Sequence, residues 1–267
     1  MCGISGVISN SLSKQKIIFI LREMGNAISH RGPDEWGELI TSNFAFGHNR
    51  LSIVDIQGGT QPMSDESGKY TIIYNGEIFN NKELRELLQK KGLKFCSRNS
   101  DTETVLLLFK TFGTKSFSML EGMFAFTIFD SKKNKIYIVR DELGIKPLYY
   151  FQSSDKFIFG SEIKALLASN LIEPIINGEL LPDYFFNRTT TNEKTLFKGI
   201  NKLLPGKYIC IDPEDLSFKI KSFLKTDINR SNINNFNYEK FNQLLQYQVM
   251  KHLEADVPVA IALSGGI

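Results

Sequence analysis

Met1-Cys2-Gly3-Ile4-Ser5-Gly6 opens the chain, and its second residue decides how everything after it is read. Removal of Met1 would leave Cys2 carrying a thiol and a free α-amine, a nucleophile with its base attached. The amine titrates near ~7.7–8.0 and the thiol near ~8.5, so one takes the other's proton at little cost. A small residue after Met1 suits removal of the methionine, and Gly3 lets the backbone bend beside the sulfur. A cysteine near a terminus is more often incidental. The Met-Gly start of a myristoylation signal is also absent. The reading of Cys2 therefore depends on residues further along.

The 267 residues suffice for one large domain and part of a second, with a substantial core. Apolar content of 42% and charged content of 23% are those of a soluble globular protein. Net charge is +3, from 32 basic against 29 acidic residues, too balanced to suggest a nucleic-acid or membrane partner. No apolar run reaches the ~18 residues of a membrane span. The first twenty residues lack a secretory pattern. Cys2, Cys96 and Cys210 are scattered, giving neither a disulfide framework nor a metal site. Cys96 and Cys210 read as small apolar side chains, and the cytoplasm is the expected location.

Periodicity predicts a helix over residues 15–29, ending before the turn Gly32-Pro33-Asp34. Strands are predicted over 44–54, 70–74, 148–151, 157–159, 206–211 and 218–223. A hairpin joins 123–130 to 135–141 through Ser131-Lys132-Lys133-Asn134. One helix starts at Asn80 or Asn81, with Leu84, Leu87 and Leu88 on one face and Gly92 closing it. Another starts at Ser100-Asp101-Thr102-Glu103, a capping-box pattern, and runs to Gly113. A short helix follows Ser161. Taken alone, Asn75-Gly76 reads as a type I′ hairpin turn. Strands in runs with helices grouped between them predict an α+β fold with antiparallel sheets. Residues 225–235 are polar and Asn-rich, a linker pattern. Beyond them come a helix over 238–253 and a strand over 257–263 that runs into a Gly-rich loop. That is how α/β nucleotide-binding domains begin.

Six motifs occur in order: Cys2-Gly3-Ile4, Arg31-Gly32-Pro33-Asp34, Arg50-Leu51-Ser52-Ile53-Val54-Asp55, Asn75-Gly76-Glu77-Ile78-Phe79-Asn80, Ser100-Asp101-Thr102-Glu103 and the run Arg140–Tyr150. Together they resemble the glutaminase domain of glutamine-hydrolysing asparagine synthetases, class II amidotransferases, over essentially the whole chain. The resemblance implies an N-terminal nucleophile fold, a four-layer αββα sandwich, over residues 2–223. A linker over 224–237 and the start of an ATP-dependent synthetase domain over 238–267 would follow. The terminal Leu263-Ser264-Gly265-Gly266 resembles the beginning of that domain's pyrophosphate loop, which uses ATP and Mg²⁺ in the full-length family. Glutamine hydrolysis itself needs no cofactor.

By the same resemblance, Cys2 attacks the side-chain amide of glutamine, releasing ammonia and leaving a thioester for water to hydrolyse. Asn75 and the Gly76 N–H would hold the oxyanion, each such donor being worth about 2.7–4 kcal/mol. Arg50 would grip the α-carboxylate through two parallel hydrogen bonds, and Asp101 and Glu77 the α-ammonium. Arg50 can equally be read as an ion-pair partner and Asp101 as a first-turn helix cap. Arg31 and Asp34 are expected to hold the loops around Cys2, and His30 and His48 to pack or hydrogen-bond. The expected partners are glutamine and a synthetase domain, with a homodimer as a candidate assembly.

Because the chain ends inside the loop, hydrolysis without amide synthesis is expected, and elements after about residue 237 should be weakly anchored. The acceptor is aspartate in asparagine synthetases and another carboxylate, such as a sugar acid, in related amidotransferases. Glucosamine-phosphate synthase, amidophosphoribosyltransferase and glutamate synthase share the cysteine start. A non-catalytic remnant is the alternative of a different class.

Overall fold

In β1 (Gly3–Ser9), Ile4 and Ile8 point into one apolar core and Val7 into another, and all three are fully buried. A strand apolar on both faces has to sit inside a layered structure. The computed structural model describes residues 1–52, 58–224 and 237–253, with Pro258, Ala260 and Gly265. After β1 come α1 (Lys14–Ala27), β2 (Glu35–Ile40), β3 (Phe44–Arg50), β4 (Met63–Ser64) and β5 (Tyr70–Ile78). Then follow α2 (Asn81–Lys90), α3 (Asp101–Phe112), β6 (Gly122–Asp130), β7 (Lys135–Arg140), β8 (Tyr149–Gln152) and β9 (Lys156–Gly160). The last described elements are α4 (Ile163–Ala168), α5 (Leu181–Asn187), β10 (Ile200–Lys202), β11 (Lys207–Ile211), β12 (Phe218–Ser222) and α6 (Tyr238–Lys251).

The strands form two six-stranded antiparallel sheets, in the orders β10-β8-β9-β1-β3-β2 and β12-β11-β7-β6-β5-β4. Phe44, Phe46, Ile73, Ala125 and Ile138 fill the space between the sheets. Helices α1 and α4 cover the outer face of the first sheet, through Ile17, Leu21, Met24 and Leu166. Helices α2 and α3 cover the second, through Leu84, Leu88, Leu106 and Leu108. This is the four-layer αββα sandwich expected from the sequence.

Three expectations fail locally. Asn75-Gly76 is not a turn: β5 continues to Ile78, paired with β6 from Tyr70↔Asp130 to Ile78↔Gly122. A Cβ on Gly76 would lie 2.5 Å from the Met123 carbonyl oxygen, so the glycine serves a close strand approach. The capping box does not close on Ser100. Glu103 reaches the backbone N–H groups of Cys96 and Ser97 at 2.7 and 2.8 Å instead. The strand expected over 44–54 ends at Arg50, because the Leu51 and Ser52 amides turn to Cys2 and Asp34. Strand β2 and helix α5 had no sequence counterpart. Helix α6 forms as expected but buries none of its residues. Apart from Leu224, Asn237, Pro258, Ala260 and Gly265, the linker, the following strand and the terminal loop lie outside the described residues, as do Ile53–Asp55. No helix among the described residues is long and apolar enough to cross a membrane.

Candidate active site

The site forms where β1, an interior strand of the first sheet, begins. Gly3 pairs with Asn49, which brings Cys2 beside Arg50 at the end of β3. Cys2 Sγ accepts a hydrogen bond from the Leu51 amide at 3.3 Å and lies 3.6 Å from the Leu51 carbonyl oxygen. Burial pushes the thiol's pKa up, and Met1, still attached, has an amine whose pKa burial pushes down. Charge from Arg31 and Lys146 lowers the amine further.

The turn after α1 fixes this terminus. Arg31 donates to the Cys2 carbonyl oxygen at 2.9 Å and to Glu162 at 2.9 Å. Gly32 packs against β3 so closely that a Cβ would sit 2.2 Å from the Asn49 carbonyl oxygen. Asp34 accepts from the Ser52 amide at 2.8 Å. Arg31 and Asp34 therefore hold the loops, as expected. His30 pairs with Glu162 at 2.9 Å. His48 is buried between the sheets, where its Nε2 donates to the Tyr74 carbonyl oxygen at 3.0 Å. Burial pushes its pKa down to about 4, so it is a neutral tie between the sheets.

A cleft of about 190 Å³ opens beside the sulfur, lined by Cys2, Arg50, Asn75, Gly76, Glu77 and Asp101 together with Gln61, Tyr74 and Lys146. Every glutaminase-site residue singled out from the sequence borders it. Asn75 is 1% exposed, and its Nδ2 has no hydrogen-bond partner among the described residues. Burying an amide donor unpaired costs about 1–3 kcal/mol, so the group calls for a partner, and the cleft beside it gives one access.

The Gly76 N–H is aimed by sheet geometry. Phe124, opposite Gly76, gives its carbonyl oxygen to the Asp141 amide and its amide to the Asp141 carboxylate. The Gly76↔Phe124 pair is thus a non-hydrogen-bonded one, and the Gly76 amide faces away from β6. On that side β4 pairs only with Thr71 and Ile72, leaving the Gly76 position open.

Asp101 opens α3 and is buried. Its Oδ2 accepts from the Tyr74 hydroxyl at 2.8 Å and from the Ile78 amide at 3.3 Å. Burial pushes its pKa up to about 6 despite these donors and the first-turn amides. Arg50 is buried, and among its contacts Nη1 meets Glu35 at 3.1 Å. The cap and ion-pair readings of these residues thus hold alongside their place in the cleft.

The sequence did not single out Tyr74, Gln61 or Lys146. Gln61 accepts from the Tyr74 amide at 2.6 Å and donates to Thr102 at 3.3 Å, tying β5 to the start of α3. Lys146 is buried, its pKa lowered by burial, and its own loop explains its placement. Asp141 accepts the amides of Leu143, Ile145 and Lys146, while Arg140 donates to three carbonyl oxygens, those of Gly144, Lys146 and Leu203. The only signal for Lys146 was its membership of the run Arg140–Tyr150. A larger groove of about 600 Å³ lies on the other side of α3's first turn. Its buried carboxylates are already engaged, Asp65 by Lys110 at 2.9 Å and Glu103 by the amides of Cys96 and Ser97. Among the described residues no group of three His, Cys, Asp or Glu side chains is placed to hold a metal ion.

The profile of a family described as "Glutamine amidotransferase domain" matches residues 1–223. Two asparagine synthetases [glutamine-hydrolyzing] of Bacillus subtilis, numbers 3 and 1, are 35% and 37% identical to the chain. Each alignment covers 100% of this chain, and 44% and 42% of the respective relative. The chain therefore spans less than half the length of those curated relatives. Among solved structures, the glutamine phosphoribosylpyrophosphate amidotransferase of B. subtilis superposes on 84% of this chain and 49% of its own, with TM-score 0.61 and 20% identity. That likeness is one of fold.

Proposed function

This chain belongs to the glutamine amidotransferase domain family, and on that premise we propose that it hydrolyses glutamine to glutamate and ammonia at Cys2. Removal of Met1 would free an α-amine on Cys2 itself. The neutral amine takes the thiol proton as sulfur attacks the carboxamide carbon. Asn75 Nδ2 and the Gly76 N–H receive the developing oxyanion. Collapse transfers the proton to the departing nitrogen, which leaves as ammonia, and water then hydrolyses the thioester. Arg50 binds the α-carboxylate, while Asp101 and Glu77 bind the α-ammonium. Lys146 and Arg31, whose charges lower the amine of the chain that keeps Met1, would act in the same direction on the amine of Cys2.

The observation that carries this reading is the buried, unpartnered Asn75 amide in the cleft that also holds Cys2 and Asp101. The test is glutamate release by wild type and Cys2→Ala, with intact mass confirming loss of Met1. Release by wild type alone supports the reading, and equal rates defeat it.

Residues 2–223 are assigned to this glutaminase unit, 224–237 to a linker and 238–267 to the start of a synthetase domain, with Leu263–Gly266 in a pyrophosphate loop. In a longer protein like the relatives, ammonia would pass to that domain for ATP- and Mg²⁺-dependent conversion of aspartate to asparagine. Bound ATP would supply the activation of the acceptor carboxylate. Another carboxylate acceptor is the alternative there. A cytoplasmic location and a homodimer complete the proposal.

A further inference from the structure

The recognition end of the cleft contains a contact that the reaction itself does not require. Tyr74 precedes Asn75 on β5, so its side chain leaves the opposite face of the sheet and packs into the helix-covered core against Phe126. From there its hydroxyl donates to Asp101 Oδ2 at 2.8 Å, 27 residues away in sequence. The ring is 2% exposed and cannot swing to another partner. Gln61 holds the Tyr74 backbone at one end and Thr102, next to Asp101, at the other.

We propose that Tyr74 is a positioning residue for glutamine recognition: its hydroxyl holds the Asp101 carboxylate charged and aimed for the substrate's α-ammonium. This rests on the reading of Asp101 given above and adds the group through which it acts. A buried carboxylate loses water's stabilisation of its charge, and a donor bonded to the charged form restores part of it. The raised pKa of Asp101, about 6, shows how near the balance lies to physiological pH. Tyr74 stays a proton donor across this range, since burial and Asp101 hold its own pKa well above 10. The other charged or titratable groups of the cleft are Glu77 on β5, Arg50 on β3, Cys2 with the terminal amine, and Lys146 after β7. Tyr74→Phe leaves all of them in place.

The experiment is calorimetric titration of L-glutamine into Cys2→Ala, which binds without turnover, and into Cys2→Ala/Tyr74→Phe, from pH 5.5 to pH 8. Loss of one hydrogen bond to a charged group moves the Asp101 titration up by about one pH unit. Tyr74→Phe should then weaken binding by roughly eightfold at pH 5.5 and leave it within about twofold at pH 8. Glutaramate, which lacks the α-ammonium, should bind both proteins alike at every pH. Site-specific 3-fluorotyrosine at 74, a stronger donor on an unchanged frame, should shift the titration down and covers the case of a phenylalanine variant that misfolds. A weakening that is constant with pH, or equal for glutaramate, overturns the role of Tyr74. Cys2→Ala that binds no glutamine at any pH sinks the glutaminase reading instead.

Discussion

The two ends of the cleft are built in opposite ways. At the sulfur end, Asn75 Nδ2 is buried without a partner and the Gly76 amide faces the open side of β5. At the far end, Asp101 is bonded by Tyr74 and Ile78, and Arg50 is engaged by Glu35. Groups meant to meet charge that exists only in a transition state have nothing to bind beforehand, and satisfying them early would waste their strength. Groups meant to hold charges the substrate always carries gain from being fixed in advance. The contrast sorts the expected effects of mutation.

The largest effect should come from the unsatisfied end. Asn75→Ala should lower kcat by about 10²–10³ with KM little changed, since the lost donor acts only on the oxyanion. A rise in KM at constant kcat would place Asn75 in ground-state binding and blur the contrast. Asp101→Asn should do the reverse. It should lower kcat/KM by roughly 10- to 100-fold, carried mainly by KM, in steady-state glutaminase kinetics.

The same variant should change stability in a pH-dependent way. The raised carboxyl pKa means that the folded state holds a proton which the unfolded state gives up between about 3.8 and about 6. Wild type therefore carries no penalty from Asp101 below that window and the full penalty above it. Relative to wild type, Asp101→Asn should gain stability as pH rises from 4 to 6, by about 3 kcal/mol at most. Urea unfolding at several pH values reads this directly, and a pH-independent difference would contradict the buried-carboxylate account. The smallest effect is expected at Lys146→Met. It removes a cation close to the amino terminus, so the pKa of the freed Cys2 amine should rise and the acid limb of kcat should move to higher pH. An unmoved limb would separate Lys146 from the sulfur end.

How much of this was visible in the sequence varied with the range of the interactions involved. The hairpin of β6 and β7 was legible because Phe124, Phe126 and Ile128 alternate with smaller residues around a polar turn. Cys2, Arg50, Asn75 and Asp101 were legible as an ordered set of motifs, and only the resemblance, not their spacing, implied that they meet around one substrate. Asn75-Gly76 misled because the dipeptide favours a turn locally, while pairing along the length of β6 keeps it in a strand. Tyr74, Gln61 and Lys146 were not legible. Tyr74 looks like any apolar strand residue until α3 brings Asp101 to its hydroxyl, and Gln61 meets Thr102 across 41 positions. Helix α6 shows the opposite limit. Its pattern predicted a helix correctly, but Leu244 and Met250 remain exposed, because helix formation does not by itself bury an apolar face.

Glutamate release by one preparation, before and after enzymatic trimming of Met1 followed by intact mass, tests most directly whether the sulfur works with its own amine. Activity should appear in proportion to the trimmed fraction and be absent from chains that keep Met1. Equal rates from trimmed and untrimmed protein would contradict the account.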